Sequence, residues 1–279
     1  MIRTSRQLKA LVRNLSKGDS TRAQIIIRNY VMERFLERLS VSQYRDNLVL
    51  KGGTLIAAMV GLDNRSTMDM DATVKNLPLT EESARKYVED ITGIQINDGM
   101  AFEIKSVAPI MDDAEYPGIR VTLDTTLETM HTPLKIDFSS GDVITPREVS
   151  YSFKLLFEDR TISIMAYNLE TVLAEKLETL VARGTANTRM RDFYDIFVLE
   201  QSQSHNVDRA VLKTAFANTS DKRGSSAVKA DMDTILDEVE DSPSMTTLWK
   251  SYQRKFEYAA DIEWAGVMLA VRKLCAEVK

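Results

Sequence analysis

Cysteine and histidine are nearly missing from this chain. Its 279 residues include one cysteine, Cys275, and two histidines, His131 and His205. A single cysteine excludes an intrachain disulfide and fits a reducing compartment. So few soft ligands argue against a zinc site, while binding of a hard cation through oxygen stays open. No apolar run approaches the ~20 residues of a membrane-spanning helix. Met1 to Arg6 lacks the apolar core of a signal peptide, so the expected location is cytoplasmic, with no membrane contact. Nor does one sign of charge dominate: 36 Lys and Arg face 41 Asp and Glu, a net −5. Bulk charge therefore does not mark a nucleic-acid binder, although a local basic groove remains possible. Internal repeats, low-complexity tracts, a Walker-type phosphate loop and a serine nucleophile with a nearby histidine are absent as well.

What remains is an ordinary globular composition, 44% hydrophobic and 28% charged, long enough to bury about three quarters of its unfolded surface. Helical spacing is expected over residues 5–17 and 20–39, the second helix capped by Ser20 or Thr21. A short strand at Leu48–Leu50 is broken by Gly52-Gly53, and a helix follows over 54–60. Residues 68–74 read as a strand, and a helix follows from about Thr80 to Thr92. Alternating, β-branched stretches at 101–109, 117–126 and 132–139 read as strands, with one or two more within 149–165. From Asn168 the pattern is helical, with breaks expected near Gly184, His205, Thr219 and Ser242-Pro243. The expected fold is α+β: residues 1–165 form a lobe with helices 5–39 and a mixed sheet over 47–165, and residues 166–279 form a helical lobe.

Carboxylates carry the chemical signal. On an extended strand, residues i and i+2 share a face, which sets Asp69 and Asp71 together and Met68, Met70 and Ala72 opposite. In Leu134-Lys135-Ile136-Asp137-Phe138 the apolar residues alternate inward and leave Asp137 on the other face. If the two strands are neighbours, Asp69, Asp71 and Asp137 converge and can hold one or two divalent cations against a triphosphate. Lys51-Gly52-Gly53-Thr54 strengthens this reading. The glycine backbone can approach phosphate closely, the helix start favours anions, and Thr54 adds a hydroxyl. Solvated strand-edge acids and a plain tight turn explain the same residues without function. Asp137 reads equally as a metal ligand, as a general base, or as a surface acid beside Lys135.

Lys176 offers a separate argument. With Leu169 at zero and ~100° per residue, Val172, Leu173, Leu177 and Leu180 fill a sector about 140° wide that also contains Lys176. Such a lysine snorkels, meets a carboxylate or meets a ligand anion. The helix around Arg189 to Phe197 is apolar nearly all round, so Asp192 and Asp195 need partners: either orients Lys176 or a nucleotide's base-side contact, or pairs with Arg183, Arg189 or Arg191. Arg65 is a candidate for phosphate contact or for pairing with one of the acids.

At these positions the chain resembles the AbiEii-type toxin family, with its MenT relatives, inside the DNA polymerase β-like nucleotidyltransferases. The resemblance rests on Lys51–Thr54, on Arg65–Asp71, on Lys135–Asp137 with Ser139–Asp142, and on Leu173–Leu177 with Arg191–Asp195. It spans about residues 20–200. It implies a Mg²⁺-dependent transferase moving a nucleotide from an NTP to an RNA acceptor, tRNA above all, or to a protein, restrained by a cognate antitoxin. Asp69 and Asp71 resemble the metal-binding pair, Lys176 the motif lysine, and Asp192 or Asp195 the later acid, with Asp192 favoured. Thr67 stands where relatives often carry a modifiable serine. The stretch from Gly53-Thr54 to Asp69 is longer than in the wider superfamily, which leaves the role of Thr54 open. Transfer of phosphate by the same site, or a non-catalytic binding module with a vestigial pocket, are the competing readings.

Overall fold

The computed structural model describes residues 2–110 and 118–279, which form two compact units. The first comprises Met1–Leu62, Ser66–Gly141 and Val149–Ala166, and the second Asp63–Arg65, Asp142–Glu148 and Tyr167–Lys279. The class is α+β.

The first unit is a seven-stranded mixed sheet with four helices. Its strands are β1 (Leu48–Lys51), β2 (Met70–Val74), β3 (Met100–Ile110), β4 (Gly118–Leu127), β5 (Met130–Ser140), β6 (Val149–Lys154) and β7 (Thr161–Ala166), in the order β3-β4-β5-β2-β1-β7-β6. The β2–β5 and β1–β7 pairs are parallel, and every other neighbouring pair is antiparallel. Leu134, Ile136 and Phe138 are buried, as their alternation requires, and so are Val121 and Leu123 on the neighbouring strand. Residue 117, expected to open β4, lies outside the described residues.

Helices α1 (Ser5–Ser16), α2 (Ser20–Ser40), α3 (Gly52–Val60) and α4 (Glu81–Thr92) complete this unit. Leu8 and Val12 of α1 pack with Ile26 and Tyr30 of α2 and with Leu127. Asp19, rather than Ser20 or Thr21, caps α2 by accepting from the N–H groups of Thr21 and Arg22. One residue further out, its carboxylate reaches both orphan donors. Although α2 reads as half polar, Glu33, Arg34, Glu37 and Arg38 are all buried. They survive burial by pairing: Arg38 holds Asp98 through two bonds of 2.7 and 2.9 Å, and Arg34 meets Glu37 at 2.8 Å and Glu158 at 3.1 Å.

The second unit contains α5 (Leu169–Arg183), α6 (Met190–Gln203), α7 (Arg209–Lys222), α8 (Met232–Asp241), α9 (Pro243–Lys255) and α10 (Trp264–Val278). Helix α7 runs through Thr219 and ends at Arg223-Gly224, where glycine supplies a positive φ of 67°. The α5 helix is buried more completely than its apolar sector suggests. Glu178 is covered because it accepts from Arg223 and Ser225, and Glu170 because it caps the N–H of Asp208.

Candidate active site

The acidic side chains are organised by sheet register. Residues directly opposite on neighbouring strands share a face. Lys51 of β1 faces Asp71 of β2, Asp71 faces Asp137 of β5, and Asp137 faces Arg120 of β4. A row of four charges, positive at both ends and negative in the middle, thus crosses four strands. Arg120 grips Asp137 through two bonds of 2.7 and 2.6 Å, so both carboxylate oxygens already have a partner.

Asp71 is pressed against the start of α3. Gly52 adopts φ +65°, and a β-carbon there would stand 2.2 Å from Asp71 Oδ2. The Gly53 N–H donates to the same carboxylate. The glycine pair therefore does more than end a strand: α3 begins at Gly52, two residues earlier than expected, and its first amides face a carboxylate of the chain. Burial, helped by the negative charges of Asp137 and Asp69, pushes the Asp71 carboxyl up to about 6, against the opposing pull of Lys51 and Gly53.

Asp69 sits in the bend just before β2, not within it. The expected strand began at residue 68, so the alternation argument does not reach this acid, and Met68 is exposed rather than sharing the buried face of Met70 and Ala72. Two hydroxyls hold the bend instead. Thr54 Oγ1 and Thr67 Oγ1 both donate to the carbonyl oxygen of Asp69, at 3.0 and 3.1 Å. Both threonines are buried, so in this structure their hydroxyls seat Asp69.

Among the described residues, no three carboxylate, imidazole or thiol groups are gathered to hold a metal ion. The donor set nevertheless suits a hard divalent cation. Mg²⁺ commonly takes one or two carboxylates and completes its shell with water and substrate phosphate. Asp69 and Asp71 supply two neighbouring carboxylates, the charge of Asp69 adding to the burial that raises Asp71.

The second unit carries its own ionic network. Lys176 Nζ lies 2.7 Å from Asp192 Oδ1 and 2.7 Å from Asp195 Oδ2. Arg65 Nε meets Asp195 Oδ1 at 2.6 Å, and its Nη2 meets Oδ2 at 3.3 Å. Asp195 and Arg65 are 0% and 1% exposed, Lys176 and Asp192 14% each. Burial opposes the charge on Lys176, but the two aspartates outweigh it and raise the ammonium well above its usual range. Burial likewise opposes the Asp195 carboxylate, and Lys176 and Arg65 outweigh it and hold that group low. Beside Arg65, the Tyr194 hydroxyl donates to the carbonyl of Asn64.

Arg120 was not visible as a site residue in the sequence. Ile119-Arg120-Val121 places it on an outward face, but only the β4–β5 register names its partner.

A family model described as nucleotidyl transferase AbiEii toxin, Type IV TA system, matches residues 34–268. The chain belongs to the AbiEii nucleotidyltransferase toxin family. It is a nucleotidyltransferase by that membership, and the family implies an NTP substrate and an antitoxin partner. Among solved structures, MenT4, a nucleotidyltransferase toxin from Mycobacterium tuberculosis H37Rv, is similar at TM-score 0.58 and 17% identity, covering 97% of this chain and 99% of that one. JHP933 from Helicobacter pylori is similar at TM-score 0.51 and 15% identity, over 91% and 93% of the two chains. A putative nucleotidyltransferase from H. pylori gives 0.50 and 16%, over 91% and 96%. At these identities the AbiEii member and the three structures share a fold. No curated protein matches the chain.

Proposed function

We propose that this AbiEii member moves a nucleotide from an NTP to an RNA acceptor, tRNA being the expected class, with Mg²⁺ held by Asp69 and Asp71, and that its antitoxin restrains this activity in the cytoplasm. The observation that supports this most directly is the crowding at Asp71. Burial and two neighbouring negative charges lift its carboxyl to about 6, a state that a bound cation relieves. When bound, the metal supplies charge neutralisation for the triphosphate and for the transition state.

The chain's own groups do the positioning. Lys51 and Gly53 bias Asp71 toward its ionised form. Thr54 and Thr67 fix the backbone from which Asp69 projects. Asp137, committed to Arg120, acts through its charge on Asp71. Within the second unit, Asp195, tied to Arg65, keeps Lys176 extended, and the more exposed Asp192 is the partner that an anion would displace from the lysine. Such preorganised charge is the main source of rate in phosphoryl transfer.

The test is incubation with Mg²⁺, total RNA and NTP labelled at either the α or the γ phosphate. Nucleotide transfer puts only the α label into RNA, and Asp69→Ala abolishes it while the variant stays folded. Incorporation of the γ label alone means phosphate transfer instead. Full incorporation by a folded Asp69→Ala protein refutes the assignment.

A further inference from the structure

Charge is distributed unevenly along the chain. Residues 1–28 contain Arg3, Arg6, Lys9, Arg13, Lys17, Arg22 and Arg28 against one acid, Asp19, a net of +6. For the total to be −5, the remaining residues carry −11. Helix α1 concentrates this excess. At ~100° per residue, Arg6, Lys9 and Arg13 fall within a sector about 60° wide, and Lys17 follows at the C-cap. Ser5, Leu8, Val12 and Ser16 are buried and occupy the adjoining sector, so packing on α2 turns the basic stripe outward. All four cations are exposed. Among the described residues none of them forms an ion pair; Glu128, which accepts from Ser5, feels Lys9. In α2, Arg28 Nη1 lies 3.2 Å from Met68 Sδ, and Met68 directly precedes Asp69. Within the first unit the basic segment therefore reaches the bend that presents the metal-binding acid.

We infer that the stripe of Arg6, Lys9 and Arg13 on α1, with Lys17 at its C-cap, docks the phosphate backbone of the RNA acceptor and that Arg28 carries this track to Asp69. The inference rests on the proposed RNA acceptor and adds the surface that holds it. A chain of net −5 repels RNA as a whole, so an unpaired cationic stripe is what makes association favourable. A membrane surface suits it less, because α1 spends its apolar face on α2, leaving Leu11 and Leu15 at 37% and 40% exposure.

Binding of fluorescent bulk tRNA to the full chain, followed by anisotropy across a KCl series without NTP, tests the surface apart from the chemistry. The triple variant Arg6→Glu, Lys9→Glu, Arg13→Glu is expected to bind at least ~10-fold more weakly. Its log–log salt dependence should be shallower by about 2–3, at ~0.7–0.9 per phosphate contact. The milder Arg6→Gln, Lys9→Gln, Arg13→Gln variant falls between, and both keep the wild-type circular dichroism and NTP affinity. Asp69→Ala binds tRNA like wild type. Unchanged tRNA binding by a folded triple variant, no tRNA binding by wild type, or stripe-dependent binding to phosphatidylserine vesicles without tRNA binding each overturns the surface. Stripe-dependent tRNA binding without label transfer leaves the surface standing and removes the proposed reaction. Label transfer to protein, with no tRNA bound, overturns the surface and the RNA acceptor together and leaves only nucleotide transfer standing.

Discussion

The Asp71 carboxylate stands in the space that a β-carbon on Gly52 would need, with Oδ2 2.2 Å from that position. Glycine is required there twice over, by the contact and by a φ of +65°. Gly52→Ala should therefore push Asp71 from its seat at the start of α3. We expect a loss of about 1–3 kcal/mol in urea unfolding and a drop in nucleotide transfer far larger than that stability loss explains. Gly53→Ala, which lacks the positive φ, should be milder on both counts. Equal activity in the Gly52→Ala protein and wild type would show that the Asp71 position is irrelevant.

The two acids of α6 should separate under mutation. Asp195 is fully buried between Arg65 and Lys176, so Asp195→Ala leaves two buried cations short of a partner and should cost about 3–5 kcal/mol. Among the described residues Asp192 holds only Lys176, and it is partly exposed, so Asp192→Ala should cost about 1–2 kcal/mol while reducing transfer at least as strongly. Chemical denaturation beside single-turnover assays reads this out. A reversed order of stabilities would undo the distinction between framework acid and working acid.

Stability should depend on pH through Asp71. Its carboxyl is raised from 3.8 to about 6 in the folded chain, so between those values the folded state binds more protons than the unfolded state. Stability without metal consequently falls as pH rises through that window, and the cost persists above it. In EDTA at pH ~8, Asp71→Asn should be more stable than wild type by about 1–2 kcal/mol, the gain vanishing toward pH ~4. Added Mg²⁺ should raise the melting temperature of wild type at pH ~8, lose that effect below pH ~6, and leave the variant unmoved. Thermal scans at several pH values check each arm.

Arg120 occupies both oxygens of Asp137. Arg120→Ala releases a carboxylate beside Asp71 and should tighten Mn²⁺ binding by electron paramagnetic resonance, while lowering the melting temperature in EDTA through added repulsion. Unchanged Mn²⁺ affinity would mean that Asp137 lies outside the metal's reach whether or not it is paired.

Periodicity identified the sheet strands and most helices because their apolar residues recur at two or at about 3.6. It did not locate the start of α3, where a tertiary contact with Asp71 decides the backbone of Gly52. Nor did it put Asp69 outside β2, since the hydroxyls of Thr54 and Thr67 that hold the bend come from separate stretches of chain. Charged partners were the least legible. Asp98 lies 60 residues from Arg38 and Asp195 lies 130 from Arg65, and nothing local to an arginine says which distant carboxylate it meets. Lys176 was readable as a lysine in need of an anion because its helix gave it no solvent. Which anion it meets was left to the fold.

Thr67 holds its hydroxyl against the Asp69 carbonyl and is buried. Any modification of this hydroxyl would require the bend to lift away first, so its rate would be set by a local opening rather than by encounter. Once attached, a bulky anion cannot return to that seat. The aspartate would lose its anchor and gain a repelling neighbour, and the toxin would be disarmed from beneath rather than plugged from above.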